Sequence, residues 1–136
     1  MDKKKQILIV GAGGFIGGHL TKKILENGNS IIAVDIKPKQ NWFQDFDQIK
    51  NYYSTDMKIF ENCIKLTQNV DYVFNMACNM GGMGFIENNK AECMQSVLIN
   101  TNLLIASKKN KVKRYFFSSS ACVYNQEKQK KTFIKG

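Results

Sequence analysis

Apolar residues along the chain fall into two alternating rhythms. The continuous run Gln6–Val10 (QILIV) is typical of a parallel strand buried on both faces. Beyond a glycine-rich stretch, Phe15, Ile16, Leu20, Ile24 and Leu25 recur at helical spacing, and Asn27-Gly28-Asn29 stops that helix. Ser30–Asp35 (SIIAVD) reads as a second strand, Lys37-Pro38 opens a polar loop, and residues 51–55 (NYYST) read as a short third strand. Asp56 stands where a helix N-cap would, ahead of an apolar face of Ile59, Phe60, Cys63, Ile64 and Leu66. Residues 71–77 (DYVFNMA) read as a fourth strand. A helix is predicted from about Ile86 to Lys109, with Val97, Leu98, Thr101, Leu104 and Ile105 on one stripe, and KRYFFSSSACVY from Lys113 begins a fifth strand.

Strands alternating with helices imply βαβ units with right-handed crossovers. The predicted fold is therefore α/β, a Rossmann-like doubly wound parallel sheet of about five strands in the order 3-2-1-4-5. Its ligand crevice is expected at the carboxyl ends of strands one and four. Residues 1–136 read as one domain without internal repeat or linker.

Composition narrows the picture only at its edges. The 43% hydrophobic content and single Pro mark a globular chain. The start MDKKKQILIVGAGGFIGG mimics a signal peptide, but glycines break its apolar run early, so no targeting segment is expected. No stretch approaches the roughly 18 apolar residues of a membrane span. The four cysteines (Cys63, Cys78, Cys93, Cys122) are scattered, with no C-x-x-C pair and no nearby His. That pattern argues against a metal site or a disulfide framework and suits a cytoplasmic setting. The net charge of +9 gathers at DKKK, SKKNKVKR and EKQKK, read as solvated surface rather than a nucleic-acid patch because no aromatics interleave.

The chemistry begins at ILIVGAGGFIGGHL. Its glycines fit G-x-x-G-x-x-G at Gly11, Gly14 and Gly17, between a strand and a helix. Gly11 permits the tight turn, Gly14 lets backbone approach a pyrophosphate, Gly17 allows close helix packing, and the helix start offers amides to an anion. Asp35 follows 24 positions after Gly11, at the tip of strand two, where an acid would bind ribose hydroxyls and favour NAD. Lys37 and Lys39 leave a smaller opening for NADP. Asp56 has two compatible readings, helix cap and acceptor for an adenine amino group. His19 reads as a helix-surface residue, and Trp42 and Phe43 as tethers of the second loop to the core. Cys63, Cys78 and Cys93 read as structural.

These residues carry a resemblance. GAGGFIGGHL, the Asp35 strand end, TDMKIFENC, VFNMA and FFSSSACVY are similar to the extended short-chain dehydrogenase/reductase family of NAD-dependent nucleotide-sugar epimerases and dehydratases. The stretches NMGGMGFI and SSAC, the latter followed by an aliphatic residue and Tyr, resemble its GDP-mannose 3,5-epimerase branch. The resemblance implies NAD held by Gly11, Gly14, Phe15, Ile16, Gly17, Asp35, Asp56 and Ala77. It implies a GDP-hexose substrate bound by Gly81, Gly82, Ser120, Ala121 and Cys122, with no metal. Ser120 would hydrogen-bond the sugar hydroxyl being oxidised, and Cys122 would act as an acid/base. In the implied reaction C4 is oxidised transiently, protons exchange at the acidified C3 and C5, and hydride returns to C4. A homodimer is implied for a full-length member. On residue chemistry alone, a cysteine ending a buried strand is more often a small hydrophobe than an acid/base.

The resemblance has departures. Tyr124 to Lys128 (YNQEK) matches the family's catalytic Tyr-x-x-x-Lys pattern, but the family's pair lies further on, on the following helix, so this match is expected to be a coincidence. Ser96 stands where many relatives have an asparagine. The chain is expected to be the cofactor-binding half, without the C-terminal substrate lobe. Open alternatives are another sugar nucleotide as substrate, or a non-catalytic dinucleotide-binding module.

Overall fold

The computed structural model describes residues 4–44, 49–79 and 83–119. Among them, strands and helices alternate as β1 (Gln6–Val10), α1 (Phe15–Glu26), β2 (Ser30–Asp35), β3 (Tyr52–Ser54), α2 (Phe60–Leu66), β4 (Tyr72–Asn75), α3 (Met83–Asn88), α4 (Lys90–Lys109) and β5 (Arg114–Phe117). A 3-10 turn, Lys39–Asn41, follows β2. The sheet runs β3-β2-β1-β4-β5 with every pairing parallel, which is the predicted order. Val10, the last residue of β1, sits between Val34 and Asn75, so three strand ends open together on one side of the molecule.

Alternation along β1 explains why its sequence is apolar throughout. Leu8 and Val10 face one layer, with Cys63 and Leu66 of α2 and Leu103 and Ala106 of α4. Ile7 and Ile9 face the other, with Ile24 of α1 and Trp42 of the second loop. Leu8 and Ile9 are fully buried, and each such side chain contributes about 1.5–3 kcal/mol relative to exposure. At the opposite end of the sheet, Asp71 accepts the Gln6 N–H at 2.9 Å and the Lys113 ammonium at 2.6 Å, joining the starts of β1, β4 and β5.

Four sequence expectations are corrected. The helix predicted from about Ile86 is two helices, broken at Asn89, whose backbone leaves the helical region at φ −128° and ψ 43°. Both the backbone N–H and the side-chain amide of Asn89 donate to the Phe85 carbonyl, at 2.9 and 2.8 Å, so that carbonyl closes α3 with two bonds before α4 begins. The apolar stripe of α4 forms, but Val97, Leu98, Leu104 and Ile105 are about half exposed; Leu103, Ala106 and Ser107 meet the sheet instead. Asp56 does not cap α2, which starts after Ile59; its Oδ1 accepts the Lys58 N–H at 2.8 Å and caps the preceding turn. Trp42 is a tether, buried with its Nε1–H donating to the Lys37 carbonyl, whereas Phe43 stays exposed and packs edge-on against Phe15.

Candidate functional site

The carboxyl ends of β1, β2 and β4 border a cleft of about 390 Å³. Gly11 and Gly14 form its floor, Asp35 to Lys37 and Thr55 to Lys58 one side, and Met76 to Asn79 with Gln95, Ser96 and Ile99 of α4 the other.

The floor exists because side chains are missing there. Gly11 adopts φ +85°, and a Cβ on it would stand 2.8 Å from the Ala77 nitrogen. The Gly11 and Ala12 amides both donate to the Val34 carbonyl, so the turn is fastened to β2 as it forms. A Cβ on Gly17 would lie 2.0 Å from the Gly11 carbonyl oxygen, so α1 can start this close to the turn only with glycine there. Gly14 is the N-cap of α1, with no side-chain cap and no acid in the first turn. The positive end of that helix is thus left to an anion brought from outside.

Asp35 is buried at the tip of β2. Its Oδ2 accepts the Gly13 N–H at 2.9 Å and its Oδ1 accepts the Lys37 N–H at 3.0 Å. A carboxylate has about four acceptor positions, so two amides leave capacity for ribose hydroxyls at the cleft. The Lys37 ammonium folds back and donates to the Gly13 carbonyl at 2.8 Å. Sequence reasoning missed this latch between Gly13, Asp35 and Lys37. Its only signal was the extra glycine in GAGG, where a Cβ would strike Trp42 at 2.6 Å.

Further along, Asp56 pairs with the Lys58 ammonium at 3.5 Å, and that ammonium also donates to Gln95 Oε1 at 3.1 Å. On the β4 side, the Asn79 N–H donates to Ser96 Oγ at 3.0 Å, tying the strand exit to α4. Phe15 and Ile16 are exposed at the start of α1, and His19 is a surface residue packed against Phe15. Cys63 is structural: burial pushes its thiol up to about 11. Cys78 departs from the structural expectation, since it is exposed and lines the cleft.

The structure brings Gly11, Gly14, Asp35, Asp56 and Ala77 to one cleft, with Gly17 packed beneath. The donor set suits a dinucleotide: a capless helix end for the pyrophosphate and an acid positioned for a ribose. Gly81, Gly82, Ser120, Ala121, Cys122, Tyr124 and Lys128 lie outside the described residues. Among the described residues no cluster of His, Cys, Asp or Glu could hold a metal ion, and no helix is long and apolar enough to cross a membrane.

Comparison with known proteins agrees. GDP-mannose 3,5-epimerase 1 of Oryza sativa subsp. indica is 42% identical over 134 residues, covering 98% of this chain and 35% of that protein. GDP-mannose 3,5-epimerase of Arabidopsis thaliana is 40% identical over 128 residues, covering 93% of this chain and 34% of its own length. The chain thus spans about a third of the curated relatives it matches. Among solved structures, MoeE5 in complex with UDP-glucuronic acid and NAD superposes with a TM-score of 0.76 at 28% identity, covering 88% of this chain and 38% of that one. UDP-glucose 4-epimerase of Thermotoga maritima gives 0.72 at 26%, covering 85% and 38%. The profile of the NAD dependent epimerase/dehydratase family matches residues 7–135, and the chain belongs to that family.

Proposed function

We propose that this chain forms the NAD site of a nucleotide-sugar epimerase of the GDP-mannose 3,5-epimerase kind, working in a cytoplasmic setting. The observation that carries the reading is the Gly11–Gly17 turn joined, through the Gly13 amide, to Asp35 at the tip of β2. In the proposed complex the amides at the start of α1, around Phe15 and Ile16, meet the pyrophosphate. Asp35 takes the adenosine ribose, Asp56 the adenine edge, and Ala77 borders the nicotinamide end. Bound NAD supplies a reversible hydride acceptor for the sugar carbon that is transiently oxidised. Gly81 and Gly82 leave room for the hexose, Ser120 orients the hydroxyl being oxidised, and Cys122 moves a proton beside it. The 40–42% identity to two plant GDP-mannose 3,5-epimerases supports GDP-hexose over other sugar nucleotides. A UDP-sugar is the second reading, favoured by the UDP-sugars named for both superposed structures.

Calorimetric titration tests the proposal. Saturable NAD binding is expected, weakened at least about tenfold by Asp35→Ala, the loss of a charge-assisted ribose contact. Joined to a C-terminal substrate lobe and with NAD present, the chain should bind GDP-mannose more tightly than UDP-glucose. A chain that binds no NAD at millimolar concentration sinks the reading, and a preference for UDP-glucose moves it to the second.

A further inference from the structure

Behind the wall of the cleft, three polar side chains from three elements meet in the core. Asn75 ends β4 and is 1% exposed. Its Nδ2 donates to Asn100 Oδ1 of α4 and to the Tyr115 hydroxyl of β5, both at 3.2 Å. The Tyr115 hydroxyl in turn donates to Asn100 Oδ1 at 2.8 Å. The Asn75 Oδ1 accepts the N–H of Ala77, in the exit turn of its own strand, at 3.2 Å. One amide thus reaches the exit of β4, α4 and β5 together. Burial pushes the Tyr115 hydroxyl up to about 12, which keeps it a neutral donor across the physiological range.

Cohesion alone does not call for such a cluster, since apolar side chains of similar shape can replace a hydrogen-bonded pair at little loss. What a satisfied polar network adds is fixed distance and direction. The β4 and α4 side of the cleft depends on that geometry here. The exit turn held by Asn75 bears on the glycine turn, with the Met76 carbonyl oxygen 2.9 Å from where a Gly11 Cβ would stand. Ile99, beside Asn100, lines the same wall of the cleft as the exit turn.

We propose that Asn75, Asn100 and Tyr115 act as positioning residues that hold the β4 exit turn at a fixed distance from the glycine turn, and so set how closely the cleft fits a dinucleotide. This rests on the cleft being the NAD site.

The test compares Tyr115→Phe, which deletes one hydroxyl, with Val70→Ala, which destabilises the same core before β4 begins and away from the cleft. NAD is titrated against each variant at a temperature where circular dichroism shows it folded, alongside thermal melting without ligand. Tyr115→Phe removes the hydrogen bonds of that hydroxyl with Asn75 and Asn100 and should weaken NAD by about fivefold, a part of their worth. Val70→Ala should stay within about twofold of the unsubstituted chain despite an equal or larger fall in melting temperature. Hydrogen exchange at the Ala77 amide should quicken in Tyr115→Phe and not in Val70→Ala. If affinity follows melting temperature alike in both variants, or Ala77 exchanges alike in both, the positioning role is overturned. No saturable NAD binding by the unsubstituted chain overturns the underlying reading instead and takes the cluster's role with it. Asn75→Leu is a second variant, expected to show a larger loss of NAD where it folds.

Discussion

Gly17 and Gly84 are both helical glycines, and space alone separates their roles. An added methyl on Gly17 meets the Gly11 carbonyl oxygen at 2.0 Å, whereas nothing lies within 4 Å of one on Gly84. Gly17→Ala should therefore destabilise the chain by roughly 2 kcal/mol or more and weaken NAD, because backbone must move. Gly84→Ala should be neutral or stabilise by about 0.5–1 kcal/mol through helix propensity. Thermal melting of the two variants side by side checks the contrast. Ser107 offers a second test. Its hydroxyl is buried at the sheet side of α4 and has no hydrogen-bond partner among the described residues. Ser107→Ala should raise stability by about 1 kcal/mol, and a fall of that size in denaturant melts would mean the hydroxyl is bonded. Gly11, Gly14 and Gly17 were legible in the sequence because their spacing mirrors turn and helix geometry. Gly13 was not, because its need for no side chain comes from Trp42 and Asp35, distant in sequence.

At the scale of elements, the sheet is pinned at both ends by side chains from strand junctions. Asp71 does this at the amino end, and its carboxyl is held below the usual carboxylate value, first by the hydrogen bond from Lys113 and next by the Gln6 amide. A depressed folded value means the ion pair's share of stability is present above pH 3.8, the ordinary value, and is lost as pH falls through the lower folded one. Asp71→Asn should therefore melt earlier than the unsubstituted chain near neutral pH, with the gap closing below pH 3.8 and shrinking in high salt. A gap independent of pH would assign the effect to backbone geometry rather than charge. The strands were legible because continuous apolar runs have few other uses in a chain of this size. The break at Asn89 was not, since helical spacing continues across it and the change lies in the backbone angles of that one residue.

For the whole molecule, strand order followed from alternation and handedness, but the orientation of α4 did not. That helix exposes Val97, Leu98, Leu104 and Ile105 and packs on the sheet through Leu103, Ala106 and Ser107. Spacing finds the four-residue apolar set first, because Ala106 and Ser107 beside Leu103 do not register as an apolar face. Val97, Leu98, Leu104 and Ile105 on α4 and Phe116 and Phe117 on the edge strand β5 are all exposed among the described residues. Exposed apolar surface on a helix and on the last strand of the described sheet favours self-association. The purified chain should sediment with concentration-dependent size. Leu98→Glu with Ile105→Glu should reduce that dependence and change thermal stability by no more than about 1 kcal/mol. A double variant that unfolds would place those side chains in the core after all.

The latch at the tip of β2 limits how this chain's cofactor choice can change. A switch toward NADP would begin with loss of the Asp35 charge, yet the same carboxylate accepts the Gly13 and Lys37 amides that shape the glycine turn. Lys37, a cation two residues along, donates to the Gly13 carbonyl. Single-step drift at position 35 would spoil the turn before it created a new preference. A descendant using the phosphorylated cofactor would need compensating changes at 13, 35 and 37 together, which makes this trait slow to diverge.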